Sequence, residues 1–360
     1  MKITLKREFF KSEPFELLSH KGMSVTAFKY STGIEALKVQ NDKGFIVILP
    51  FKGQQIWEAE FEGRNLKMKT MMKEPQNTLE FLKTYGGFLY HCGISAFGVP
   101  QADDNHPHHG ETPNIDFQEA YIVCDEDQNG PFITVGGVLD YNVTFVRRYL
   151  FNPECKLYKD SSVMDISVSI KNMRATPMEY MYLSHINFRP IDDAQLVYSA
   201  KRDPEHIKLC RFSPDLPEGK REKMAAYMDE LEKNPAVQDK VGAEGQIYEP
   251  EICFLVKYET DDSGYAYTMQ YKKGEGAHFV AHPAKVLPVG VRWISRTGNE
   301  DAMGMVLPAT DEHFGYMNAK RKGTIKTIEA NGELKFSFKA GYIDEQTAQE
   351  YAKKIEEILK

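Results

Sequence analysis

Three histidines crowd into four positions of the run Asp103–Asn114, which reads DDNHPHHGETPN: His106, His108 and His109. Pro107, Pro113 and Gly110 exclude a regular element here, so the imidazoles project from a loop. Imidazole changes charge near neutral pH, which suits proton transfer or hydrogen bonding to hydroxyl groups. Glu111, directly after the glycine, adds a carboxylate that could serve as a base. The bland alternative is a solvated polar loop. Neutral imidazole also ligates zinc, so a metal-assisted reading through His106, His108 and His109 stays open, although the spacing matches no closed zinc motif and no metal is expected.

A second candidate is His185, in YLSHINFRP. Alternation along a strand beginning near Glu179 puts Tyr180, Tyr182 and Ser184 on one face and Met181, Leu183 and His185 on the other. A lone histidine among apolar neighbours reads as a core residue. Asn187 points the same way and supplies a second polar group, which raises the functional reading.

These residues need a frame, and most of the chain reads as strands. Met164, Ile166, Val168 and Ile170 alternate with polar residues, the period of a half-buried strand. Similar runs begin at Ser24, Gly44, Gln118, Phe132, Asn142, Glu179, Glu251, Tyr265 and Ala277, with Gly, Pro, Asn or Asp in most gaps. So many strands without intervening helices predict an all-β, antiparallel fold. Helical spacing appears at Lys220–Lys233 and in a carboxyl-terminal stretch of about 344–359, where Asp344 is placed to cap. A short helix is expected near Asn77–Lys83. The segment of about 203–245, rich in proline and charge, reads as a helical insertion within one domain spanning residues 1–360.

Composition excludes several function classes. The 360 residues are 42% hydrophobic and 27% charged, with a formal charge of −7 and no basic cluster, so nucleic acid and anionic lipid are not expected partners. No apolar stretch approaches the ~20 residues that cross a bilayer, and the amino-terminal run does not read as a secretory signal. Five scattered cysteines without a CxxC pair predict reduced thiols, neither a disulfide framework nor a structural zinc site, and a cytoplasmic protein without a cofactor. The oligomeric state is not legible.

The order of motifs resembles the galactose mutarotase-like superfamily, in its aldose-1-epimerase-like branch. The resemblance runs through VILPFKGQQIWEAEFEGRNLK (Val47 to Lys67), GGFLYHCGISAFGVP (Gly86 to Pro100), HPHHGETPN, SHINF, LPVGVRW (Leu287 to Trp293), GMVLPAT (Gly304 to Thr310) and the closing GTIKTIEANGELKFSFKAGYID. It implies an antiparallel β-supersandwich with a few peripheral helices and a small-molecule carbohydrate as ligand. It also implies an isomerase that opens and recloses a sugar ring at the anomeric carbon, with His185 as general acid and His109 orienting substrate beside His108 and Asn187. The family's base is a glutamate before a proline, and here that position is Leu307, ahead of Pro308. Glu312 or Glu111 is expected to replace it, and Glu251, Trp293 and Arg148 are further candidate contacts to substrate. Loss of the glutamate also leaves a non-catalytic sugar-binding or sensor protein as an alternative.

Overall fold

The structure is a computed structural model that describes residues 1–212 and 216–360. Among these residues the chain forms two large antiparallel sheets, of nine and thirteen strands. The smaller sheet runs from an edge strand at Lys2–Thr4 to another at Gln195–Tyr198. The larger runs from Ile207–Leu209 to Phe15–His20. This is the antiparallel supersandwich that the strand pattern and the resemblance predict.

Period-two patterning explains the main core. In the strand Val163–Asn172 the side chains Met164, Ile166, Val168 and Ile170 are all buried while their neighbours are not. Each such side chain contributes roughly 1.5–3 kcal/mol on burial. They join Phe151, Tyr182, Ile186 and Phe338 in the largest apolar cluster. The strand Met178–Ile186 differs in being covered on both faces. Its Tyr180 and Tyr182 enter the main cluster, whereas Met181 and Leu183 enter a smaller one on the opposite side of the larger sheet. The candidate site is built on that second face.

Three local expectations need correction. The run from Asn142 is not one strand: Gly130–Val143 and Arg147–Tyr158 pair as a hairpin around an exposed tip at Phe145, whose φ is 66°. No Gly, Asn or Pro marks the tip itself, so its β-branched and aromatic composition masked the turn. At Asn77–Lys83 there is only a 3-10 turn, Phe81–Thr84. A short helix at Tyr316–Lys322, closed by Gly323 at a left-handed φ of 67°, was not foreseen.

The two longer helices lie close to their expected places. The helix Glu218–Lys233 buries Met224, Tyr227, Met228 and Leu231. The segment expected as an insertion passes through residues 213–215, which lie outside the described residues. In the helix Glu345–Ile358 the Asp344 carboxylate accepts from the Thr347 backbone N–H at 2.8 Å, and Ala348 and Ile355 pack on the smaller sheet through Phe279.

Candidate functional site

Strand pairing brings the site together. His185 lies opposite Tyr90, Leu183 opposite Ala309, Val291 opposite Leu307 and Cys253 opposite Trp293. These adjacent strands present one face to a pocket of about 270 Å³, at the small end for ligand sites. Its walls include Phe81, Tyr85, Leu183, Val291 and Leu307, and its polar groups come from His108, His109, His185, Glu251, Trp293 and His313.

The histidine loop folds back over this face by close backbone approach. His109 donates its backbone N–H to the Gly98 carbonyl at 3.0 Å and accepts from the Gly93 N–H at 3.1 Å. It does so at φ 59°, an uncommon left-handed conformation for a residue with a side chain. Gly110 follows at φ 85°, and a Cβ there would stand 2.2 Å from the Ala96 carbonyl oxygen. Only glycine fits this approach, which accounts for the HG pair.

The loop and the strand meet. The rings of His109 and His185 lie 5.0 Å apart, nearly perpendicular, and His108 stacks on Phe81 at 5.4 Å. Asn187 fixes His185. Its amide nitrogen donates to the Gly87 carbonyl at 3.0 Å, so its oxygen must face the imidazole, 2.7 Å from Nδ1. The Tyr85 hydroxyl donates to the same oxygen at 2.9 Å. An amide oxygen only accepts, so Nδ1 of His185 carries the proton and Nε2 is left with its lone pair. Burial pushes the pKa of His185 down to about 3, only partly offset by the Asn187 hydrogen bond. Burial, and then the neighbouring imidazoles, hold His109 well below its usual range. Both rings are neutral at pH 7, and Nδ1 of His109 is buried without a partner.

Glu251 is the carboxylate that lines the pocket, and it accepts from the indole N–H of Trp293 at 2.6 Å. The Trp293 ring stands 5.6 Å from that of His185. Glu111 and Glu312 lie elsewhere. Glu111 accepts from the Ile94 and Ser95 N–H groups and from the Tyr149 hydroxyl at 2.6 Å, lining a separate hollow with His106. Glu312 pairs with Lys322 at 2.5 Å. Arg148 pairs with Asp140 on an exposed hairpin. His106 turns towards Asp104 at 3.6 Å, so the three loop histidines do not converge. Leu307 is 2% exposed in the pocket wall, fitted against Gly304, where a Cβ would collide with it.

Sequence reasoning missed three contributors. Phe81 comes from the segment read as a short helix, and Tyr85 follows directly after the 3-10 turn found there. His313 follows the short helix-free run after Thr310 and stands 3.7 Å from Cys253 through Nε2. Burial lowers its pKa to about 4. No spacing signal in the chain links His313 to Cys253, because pairing of distant strands creates the contact.

Two stacked antiparallel sheets, with this pocket on the outer face of the larger one, define a galactose mutarotase-like fold. The whole chain superposes on 96% of a candidate aldose 1-epimerase from Klebsiella pneumoniae, with a TM-score of 0.82 and 15% identity. A galactose mutarotase-like protein from Clostridium acetobutylicum matches over 90% of this chain and 100% of its own, with a TM-score of 0.56 and 12% identity. A candidate mutarotase from Salmonella typhimurium matches over 92% and 97%, with a TM-score of 0.57 and 11% identity. At such identities the likeness is one of fold. Residues 31–204 match a family described as a domain of unknown function, DUF4432. No protein of curated function matches the sequence significantly. Among the described residues no helix is long and apolar enough to cross a membrane.

Proposed function

We propose that the pocket binds a small aldose and that His185 moves a proton at its anomeric carbon, interconverting the two ring forms. The single observation behind this reading is the fixed tautomer of His185, whose Nε2 is held as a proton acceptor by Asn187. Ring opening takes a proton from the anomeric hydroxyl, breaks the bond from C1 to the ring oxygen and returns a proton to that oxygen. Both oxygens sit on one carbon, so a single imidazole can accept from the first and deliver to the second. Reclosure on the other face reverses the steps and leaves His185 as it began.

This reading changes the role implied by the resemblance. A neutral imidazole starts as a base, and Leu307 offers no carboxylate to do so. His109, also neutral, has one N–H with which to polarise the ring oxygen, as a neutral histidine can polarise a carbonyl oxygen. Trp293, Phe81 and Tyr85 provide ring faces for the apolar side of a sugar. Glu251 is suited to hold a hydroxyl at the rim.

Anomer-resolved NMR across a panel of aldoses tests the proposal. Exchange faster than the spontaneous rate supports it. Sugar binding without faster exchange would favour a sensor instead, a reading for which Leu307 in the base position is the motivating observation.

A further inference from the structure

We infer that Cys210, Cys253 and His313 form a zinc-type metal site in the floor of the pocket. The three side chains each offer one donor atom, and all three atoms lie within 4.8 Å of one another. Cys210 directly follows the strand Ile207–Leu209 and donates its backbone N–H at 2.8 Å to the carbonyl of Cys253, on the paired strand Ile252–Val256; the two are 8% and 7% exposed. His313 directs Nε2 at the Cys253 sulfur from 3.7 Å. A tetrahedral zinc ion with ~2.3 Å bonds to sulfur and ~2.0 Å bonds to nitrogen separates its ligand atoms by about 3.5–3.8 Å. The Cys253–His313 separation already matches, and the other two pairs, within 4.8 Å, would close by at most about 1 Å on binding.

The chemistry selects the ion. Thiolate and imidazole ligands favour zinc over magnesium or calcium, which take oxygen donors. Two thiolates also cancel the charge of a divalent cation, so a neutral complex would sit against the apolar cluster of Leu183, Val291 and Leu307 without an unpaired buried charge. Each thiol gives its proton to solvent on binding. Three protein ligands leave a fourth position, which is the arrangement of an open site rather than a closed structural one. Cys253 and His313 line the pocket, so that fourth position faces the space where a ligand would lie. This site is independent of the proton-transfer reading, because it makes no use of His185 or Asn187.

The test is a titration of the full-length protein, stripped with a chelator and kept reduced with a phosphine, using cobalt(II) as the probe. The expected result is thiolate-to-cobalt charge-transfer absorption that saturates near about one equivalent and is displaced by zinc, as for a mononuclear site of this ligand type. Cys210→Ala and Cys253→Ala each abolish the band. His313→Gln, which leaves both sulfurs in place, weakens binding at least about tenfold. Absence of the band in the unmodified reduced protein overturns the inference, and this arm does not depend on any variant folding. A band that survives in Cys253→Ala, or a Cys210–Cys253 disulfide in protein isolated without oxidant, also overturns it.

Discussion

Nδ1 of His185 and the side-chain oxygen of Asn187 lie 2.7 Å apart, and that hydrogen bond decides which nitrogen of the ring faces the pocket as an acceptor. Asn187 is itself held by Gly87 and Tyr85. Replacing it with alanine frees the tautomer. Asn187→Ala is expected to lower the exchange rate by about 10²-fold or more, with sugar affinity changed far less. Nitrogen-15 NMR of the imidazole checks the cause, since the variant should show mixed tautomers. An unchanged ring spectrum beside an unchanged rate contradicts the assigned role of Asn187.

The carboxylates separate into distinct outcomes. Glu251→Gln keeps a polar group at the rim, and we expect weaker sugar binding but less than about a tenfold loss in exchange at saturation, because the proposed base is His185. A loss as large as that of His185→Ala would make Glu251 the base.

Glu111 serves the scaffold instead. It accepts from the N–H groups of Ile94 and Ser95, from the Ser95 hydroxyl and from Tyr149, so Glu111→Gln places an amide group against donors. Thermal unfolding should show a loss of about 1–3 kcal/mol. Exchange by the folded fraction should match the unmodified protein.

Buried histidines set the acid limit of stability. His91, His185, His278 and His282 have folded-state pKa values lowered to about 3, chiefly by burial. The unfolded chain takes up protons from about pH 6.5 downward, while the folded chain does so at these sites only near 3. Their contribution is therefore complete above pH 6.5 and is lost as the pH falls through the window from 6.5 to about 3. The melting temperature should drop steadily between pH 7 and pH 4. His282 has both ring nitrogens buried and unpartnered, so His282→Gln should make that slope shallower. An equal slope in the variant would contradict the account.

Much of the fold is legible in the sequence. The period-two runs and turn residues foretell the antiparallel sheets, and alternation correctly puts Leu183 and His185 on one face. The HG pair declares its loop because Gly110 occupies a position closed to any Cβ. The partner of His185 is legible too, since Asn187 lies two residues on, just past the end of the same strand. Contacts made by distant strands were not. Cys210, Cys253 and His313 carry no spacing signal, and which of Glu111, Glu251 and Glu312 reaches the pocket depends on strand pairing and loop path. The hairpin tip at Phe145 was hidden because its residues are those of a strand.

The most direct test is saturation transfer between the two anomers of an aldose, comparing the unmodified protein with His185→Ala at equal concentration and at pH 7. The account predicts transfer well above the spontaneous rate for the unmodified protein and a fall of about 10²–10⁴-fold in the catalysed component for the variant. It also predicts little change in the unmodified rate between pH 8 and pH 5, where His185 stays neutral. Catalysed exchange that persists in His185→Ala, or that rises about tenfold for each unit of acidification in the unmodified protein, would contradict it.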